Sequence, residues 1–176
     1  FKAAVKEVIN VWKTEQYHEE MSPYRFERYH VRQSDTLIRK GKGSKVAHTG
    51  MTWSGFRPSD DACLYGYLVP ANMFAVVVLG YISEMCDNIW NDMDLKRISR
   101  ELRTEISKGV ETHAIVEHPY YGDVYCYEVD GRGNRLMMDD ANIPSLLSAP
   151  YLGYCPPDDR TYLNTRKFVL SRENPF

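Results

Sequence analysis

Two pairs of adjacent carboxylates stand out in this sequence: Asp60-Asp61 in FRPSDDAC and Asp139-Asp140 in LMMDDANIPSLL. Each pair sits in an irregular stretch just ahead of a helical pattern. Neighbouring carboxylates cannot both face one point, so one can do chemistry while the other caps or supports. Helix starts favour carboxylates through their free N–H groups and dipole, so both pairs also read simply as N-caps. Arg57 lies close before Asp60, and Trp53, Phe56, Tyr65 and Tyr67 crowd the same segment. Aromatic rings stack on the apolar faces of sugars, and an arginine fork reads hydroxyls. Cleaving a glycoside needs two carboxyl groups flanking the bond. One protonates the leaving oxygen, and the other activates water or attacks directly.

Other chemistries find little support. Ser54-Gly55 does not form a nucleophile elbow, and no Cys/His pair stands at a suggestive spacing. GKGSK lacks the spacing and the preceding strand of a phosphate loop. His18-Glu19-Glu20 has no second histidine four residues on, so it is not a zinc helix, and residues 16–30 read as an irregular rim. Cysteines at 63, 86, 126 and 155 show no zinc-like pairing and read as reduced, mostly buried thiols. No metal or cofactor is expected.

The bulk numbers narrow the class further. A length of 176 residues suits one domain. Lys and Arg number 22 against 24 acidic residues, a formal charge of −2. There is no basic stripe, so no nucleic-acid partner is expected. The most apolar run, Met73–Leu79, falls far short of the roughly 20 residues that cross a bilayer, so no membrane partner is expected either. The unpatterned thiols point to a cytoplasmic protein.

The elements that must position these residues are mostly helical. Val5, Val8, Ile9 and Trp12 recur at helical spacing and predict a helix over 2–16, with Trp12 as a core anchor. Residues 31–50 read as a surface excursion. After Pro70, ANMFAVVVLGYISEMCDNIW predicts a helix buried on most sides, with Asn72 as a candidate cap. Leu95, Ile98, Leu102, Ile106 and Val110 predict a helix over 94–110, capped by Asp92 or Asp94 and ending near Gly109. Residues 114–129 predict two short strands, 114–116 and 124–129, around Pro119-Tyr120-Tyr121-Gly122. Helical character resumes near Ile143, with Asn142 as cap and Pro144 in the first turn. A last partial helix covers 158–170.

GMTWSGFRPSDDACLYGYLVPANMFAVVVLGY, YCYEVDGRGNRLMMDDANIPSLLSAPYLGY, SPYRF and LSRENP together closely resemble glycoside hydrolase family 125. The resemblance runs over essentially the whole chain. It implies a mainly all-α fold, part of an (α/α)6 toroid with a short β-hairpin. It implies an exo-α-1,6-mannosidase that is inverting and metal-independent, acting on an α-1,6-mannosyl oligosaccharide or N-glycan fragment. The family's general acid falls on Asp60, whose pKa burial and Asp61 should raise. Arg57, Asp61, Trp53, Asp139, Asp140 and Asn142 are the expected sugar contacts. The family's general base lies in a His-Glu-Ser-Phe motif that is absent here, as is its Trp-Leu-Arg-Asp-Ser motif. The expectation is therefore the middle of a larger catalytic domain, with both ends incomplete and with core surface exposed on residues 73–90. The competing reading is a noncatalytic mannose-binding module, or an inactive fragment, that keeps the sugar contacts without the base.

Overall fold

A computed structural model describes residues 1–175. The fold is mainly α, as expected. α1 (Lys2–Gln16) has the bounds its periodicity predicted. It is followed by α2 (His18–Met21), a tight turn at Gln33–Asp35, and α3 (Ile38–Gly41), a short element in which Arg39 and Lys40 take left-handed backbone angles. The excursion over 31–50 is not all surface, because Leu37, Gly41, Gly43, Val46 and Thr49 are buried.

α4 (Val69–Met85) carries Pro70 in its first turn, where the missing N–H breaks no helical bond. It runs on into a wider turn over Cys86–Trp90, closed by Asn91 at φ 46°. α5 (Met93–His113) begins at Asp92, whose carboxylate accepts the Leu95 N–H at 3.0 Å, so Asp92 rather than Asp94 is the cap. Leu79, Ile82, Leu95, Leu102 and Ile106 build the core around these two helices. Gly109 does not end α5. It lies buried inside the helix, where a Cβ would stand 2.6 Å from the Thr49 carbonyl oxygen. The glycine thus lets residues 49–51 lie directly on the helix.

By length and hydropathy, the 22 residues of Val69–Trp90 would suffice to cross a bilayer. The apolar stretch is therefore longer than the seven-residue run suggested. Its packing explains the composition: 56% of the apolar window is buried inside the protein, as in a core helix.

Asn72 does not cap α4 but ties it to the opening of the central stretch. It is fully buried, accepts the Thr52 N–H at 2.8 Å and donates to the Thr52 and Leu68 carbonyls at 3.0 and 2.9 Å. Asn72→Leu should strand the Thr52 amide without partners and cost about 2–4 kcal/mol. Urea denaturation measures this, and a change below about 0.5 kcal/mol would show that the contact is dispensable.

The predicted hairpin forms as β2 (Ile115–His118) and β3 (Gly122–Tyr125), with Val116 opposite Val124, but its second strand, expected over 124–129, stops at Tyr125. A second antiparallel sheet went unread. It joins β1 (Tyr67–Leu68), β4 (Glu128–Val129) and β5 (Arg135–Leu136) in the order β1-β4-β5, with Leu68 opposite Glu128. Two-residue strands are too short to display a period of two. α6 (Ala149–Leu152) and α7 (Arg160–Val169) complete the chain.

The helix predicted near Ile143 is absent. Residues 143–148 form turns, and the short helix starts at Ala149 with Ser148 before it. Side chains there capture the backbone: the Ser145 N–H donates to Ser148 Oγ at 2.9 Å, and the Ser148 N–H to Ser145 Oγ at 3.1 Å.

The expected exposed face is present. Phe74, Tyr81 and Ile89 lie open to solvent, and an apolar groove of about 680 Å³ runs between α1 and α4. Trp12 is a wall of that groove and only half-buried, packed on the core's edge rather than anchoring its centre.

Candidate active site

Asp60 stands at the tip of a closed loop. Phe56 and Ala62 pair across its base, the Arg57 N–H donates to the Asp61 carbonyl at 2.8 Å, and the Asp60 N–H donates to the Arg57 carbonyl at 3.0 Å. Asp60 has φ 68°, a left-handed conformation that costs most residues 1–2 kcal/mol but that Asp tolerates. Backbone held in such a region is a recurrent feature of functional sites. The side chain is exposed, so the burial expected around it is not supplied by residues of this chain. It borders a cleft of about 330 Å³ lined by Tyr24, Phe26, Arg28, Asp35 and Phe56. Phe26 and Phe56 meet edge to face at 5.0 Å, and Arg28 lies over the Phe26 ring at 5.2 Å. Asp61 is half-buried and accepts the Ser59 hydroxyl at 3.1 Å.

Arg57 reaches inward to a residue not singled out from sequence. Its Nε donates to Glu128 Oε1 at 2.5 Å, and the Glu128 side chain is wholly buried. The other carboxylate oxygen accepts the N–H groups of Leu64 and Tyr65 at 2.7 and 2.8 Å. Burial works against the Arg57 charge, but Glu128 outweighs it and raises the guanidinium's pKa. The same guanidinium lies 5.7 Å from the centre of the Tyr127 ring. Burial, and next the Asp140 carboxylate, raise the pKa of the Tyr127 hydroxyl. The structure therefore gathers Arg57, Tyr127, Glu128 and Asp140 into one polar knot. Cys63 lies beside it, its thiol held protonated first by burial and then by Glu128, which removes it as a nucleophile. One signal could have found Glu128: a carboxylate inside the apolar run YCYEV must be buried, and a buried carboxylate demands a cation and N–H donors.

The two members of the second acidic pair part company. Asp139 is buried and its oxygens accept the Leu146 and Leu147 N–H groups at 3.2 and 3.1 Å. Asp140 is half-buried and accepts the N–H of exposed Asn142 at 3.1 Å. Asn142 thus closes a turn and caps no helix. Burial pushes the Asp139 carboxyl up to about 6 from 3.8, against the pull of the Leu147 and Leu146 amides. A raised folded value means that the folded chain holds this proton longer than the unfolded chain. The resulting stability is full below about pH 4 and is lost as pH rises to about 6, by up to ~1.4 kcal/mol per pH unit. Asp139→Asn should flatten the denaturation midpoint across that window. An unchanged slope would assign the pH dependence to another group.

Trp53 is placed differently from a sugar platform. It is 7% exposed and stacks on the His18 ring at 3.7 Å and 11°. His18 is itself buried, held by Glu15 Oε2 at 2.6 Å and the Lys42 carbonyl at 2.8 Å, so this part of 16–30 is core rather than rim. Ser22 Oγ donates to the second Glu15 oxygen at 2.6 Å. The apolar groove between α1 and α4 touches Trp53 but not Asp60 or Arg57. Its walls are almost wholly apolar, and its one carboxylate, Glu15, is bonded to His18 and Ser22. It suits helix packing rather than sugar chemistry, so the polar cleft at Asp60 is the better candidate. Among the described residues, no group of three or more His, Cys, Asp or Glu side chains could hold a metal ion. Cys63, Cys86, Cys126 and Cys155 are free thiols, the first three buried.

Comparison with known proteins identifies the family. A family profile described as metal-independent alpha-mannosidase (GH125) matches residues 1–176. The meiotically up-regulated gene 157 protein of Schizosaccharomyces pombe is 47% identical over 145 residues, covering 81% of this chain and 28% of that protein. A Streptococcus pneumoniae protein from a family of metal-independent alpha mannosidases, solved in a non-productive complex with α-1,6-mannobiose, superposes with a TM-score of 0.96 at 49% identity. That match covers 100% of this chain and 42% of the streptococcal one.

Proposed function

This chain belongs to glycoside hydrolase family 125, the metal-independent α-mannosidases, and from that membership we propose that it carries the acid half of an inverting exo-α-1,6-mannosidase site. The observation that carries the assignment is Asp60. It is a carboxylate presented at the tip of a pinned loop, against an aromatic-lined cleft, with Arg57 fixed behind it. The mannobiose complex of the streptococcal relative supports an α-1,6-linked mannoside as substrate.

In this reading, water attacks C1 of the terminal mannose from the face opposite the leaving sugar, and a general base takes the water's proton. The C1–O bond electrons pass to the glycosidic oxygen, which receives the Asp60 proton and departs as the 6-hydroxyl of the next sugar. Inversion requires acid and base to stand about 6.5–9.5 Å apart with the water between. The base belongs to the part of the domain outside residues 1–176. In this reading Asp61, Asp140 and Asn142 contact sugar hydroxyls, while Arg57 and buried Asp139 and Trp53 hold the frame. We read the helices as part of an (α/α)6 toroid whose further helices fill the groove between α1 and α4.

The test is hydrolysis of α-1,6-mannobiose by the full-length protein, followed by proton NMR. The first mannose released should be the β anomer. Initial release of the α anomer would contradict inversion, and tight binding without turnover would favour the noncatalytic sugar-binding reading.

A further inference from the structure

Glu128 makes three hydrogen bonds, and all three donors belong to the loop that bears Asp60. Arg57 Nε comes from the arm entering the loop, and the Leu64 and Tyr65 N–H groups come from the arm leaving it. The carboxylate therefore clamps both arms at once. Its own backbone is fixed, because Glu128 lies on β4 opposite Leu68 of β1, just beyond the second arm. Arg57 passes the constraint outward. Its N–H bonds the Asp61 carbonyl, and its carbonyl accepts the Asp60 N–H. A fully buried carboxylate with this set of partners is oriented as rigidly as a side chain can be.

We propose that Glu128 is the positioning residue of the general acid, and that it sets the Asp60 carboxyl against the leaving oxygen through Arg57. The proposal rests on reading Asp60 as the acid. A misplaced acid slows bond cleavage without weakening sugar binding, and displacement of about 1 Å can cost roughly 100-fold. It matters least when the leaving group departs without a proton. This separates a positioning role from a merely structural one, which would lower the active fraction equally for every substrate.

The experiment uses the full-length protein and two substrates, α-1,6-mannobiose and 2,4-dinitrophenyl α-mannoside. Glu128→Gln should lower kcat on mannobiose by about 100-fold with KM changed by less than about threefold, and lower the dinitrophenyl rate by less than about fivefold. Arg57→Lys, at a partly exposed position, should show the same selective loss in smaller degree, and it decides the matter if Glu128→Gln fails to fold. Equal losses on both substrates, or no loss on either, overturn the proposal. Asp60→Ala is measured alongside. If it shows the selective loss and the Glu128 and Arg57 variants do not, positioning alone fails. If Asp60→Ala loses both substrates equally, the acid assignment falls and the positioning role with it.

Discussion

Asp60→Asn in the full-length protein should reduce turnover of α-1,6-mannobiose by about 100- to 10,000-fold while leaving sugar binding and the melting temperature nearly unchanged. The size follows from removing the proton that the leaving sugar needs. The selectivity follows from where Asp60 sits. Its side chain is exposed at a loop tip, and the loop is pinned by backbone bonds and by the Arg57–Glu128 pair rather than by the Asp60 carboxylate. Asn also tolerates the left-handed conformation found here, so the backbone at φ 68° need not move. Thermal stabilisation by mannose measures binding independently of turnover. A variant that retains near-normal turnover would remove Asp60 from the chemistry.

The second large effect concerns stability. Trp53→Ala should destabilise the fold by about 3–5 kcal/mol, the range for deleting a buried aromatic. The indole is packed on several sides at once. His18 stacks on one face, and Tyr24 meets it at 6.0 Å. Glycines make room around its edge: a Cβ at Gly66 would fall 2.5 Å from Trp53 Nε1, and one at Gly43 would fall 2.7 Å from the ring. Both glycines also have positive φ, so the backbone there bends in a way few other residues allow. The tryptophan thus joins α2, the turn after α3 and the central stretch in one cluster. Urea denaturation and steady-state kinetics separate the two readings of this residue. A large loss of stability with KM preserved supports the core role. Stability held within about 1 kcal/mol, with KM raised severalfold, would restore Trp53 as a sugar platform.

Much of this architecture was legible in the chain. Long periodic helices announced themselves, because Ile9, Leu95, Leu102 and Ile106 fall on the helical period and are buried where the period says they should be. Asp92 was readable as a cap because a carboxylate before an amphipathic run has free N–H groups to bind. What stayed hidden depends on partners distant in sequence. Glu128 meets Arg57 across 71 positions, and neither residue's local pattern names the other. Gly109 looked like a helix end, yet its small size serves the approach of Thr49 from another segment. Asp139 and Asp140 are alike in sequence. Only the structure shows that one is buried against the Leu146 and Leu147 amides while the other is half-buried and accepts the Asn142 N–H. The proposal that Asp60 is the acid rests on the family resemblance; the pinned loop that carries Asp60 is visible only in the structure.

We propose that Asp60 gives the leaving sugar its proton. The most direct measurement is the ratio of kcat/KM on α-1,6-mannobiose to that on 2,4-dinitrophenyl α-mannoside, for the full-length wild type and for Asp60→Asn. The substitution should lower this ratio by at least about 100-fold, because dinitrophenolate leaves without protonation. A ratio unchanged by the substitution would contradict it, whatever the absolute rates.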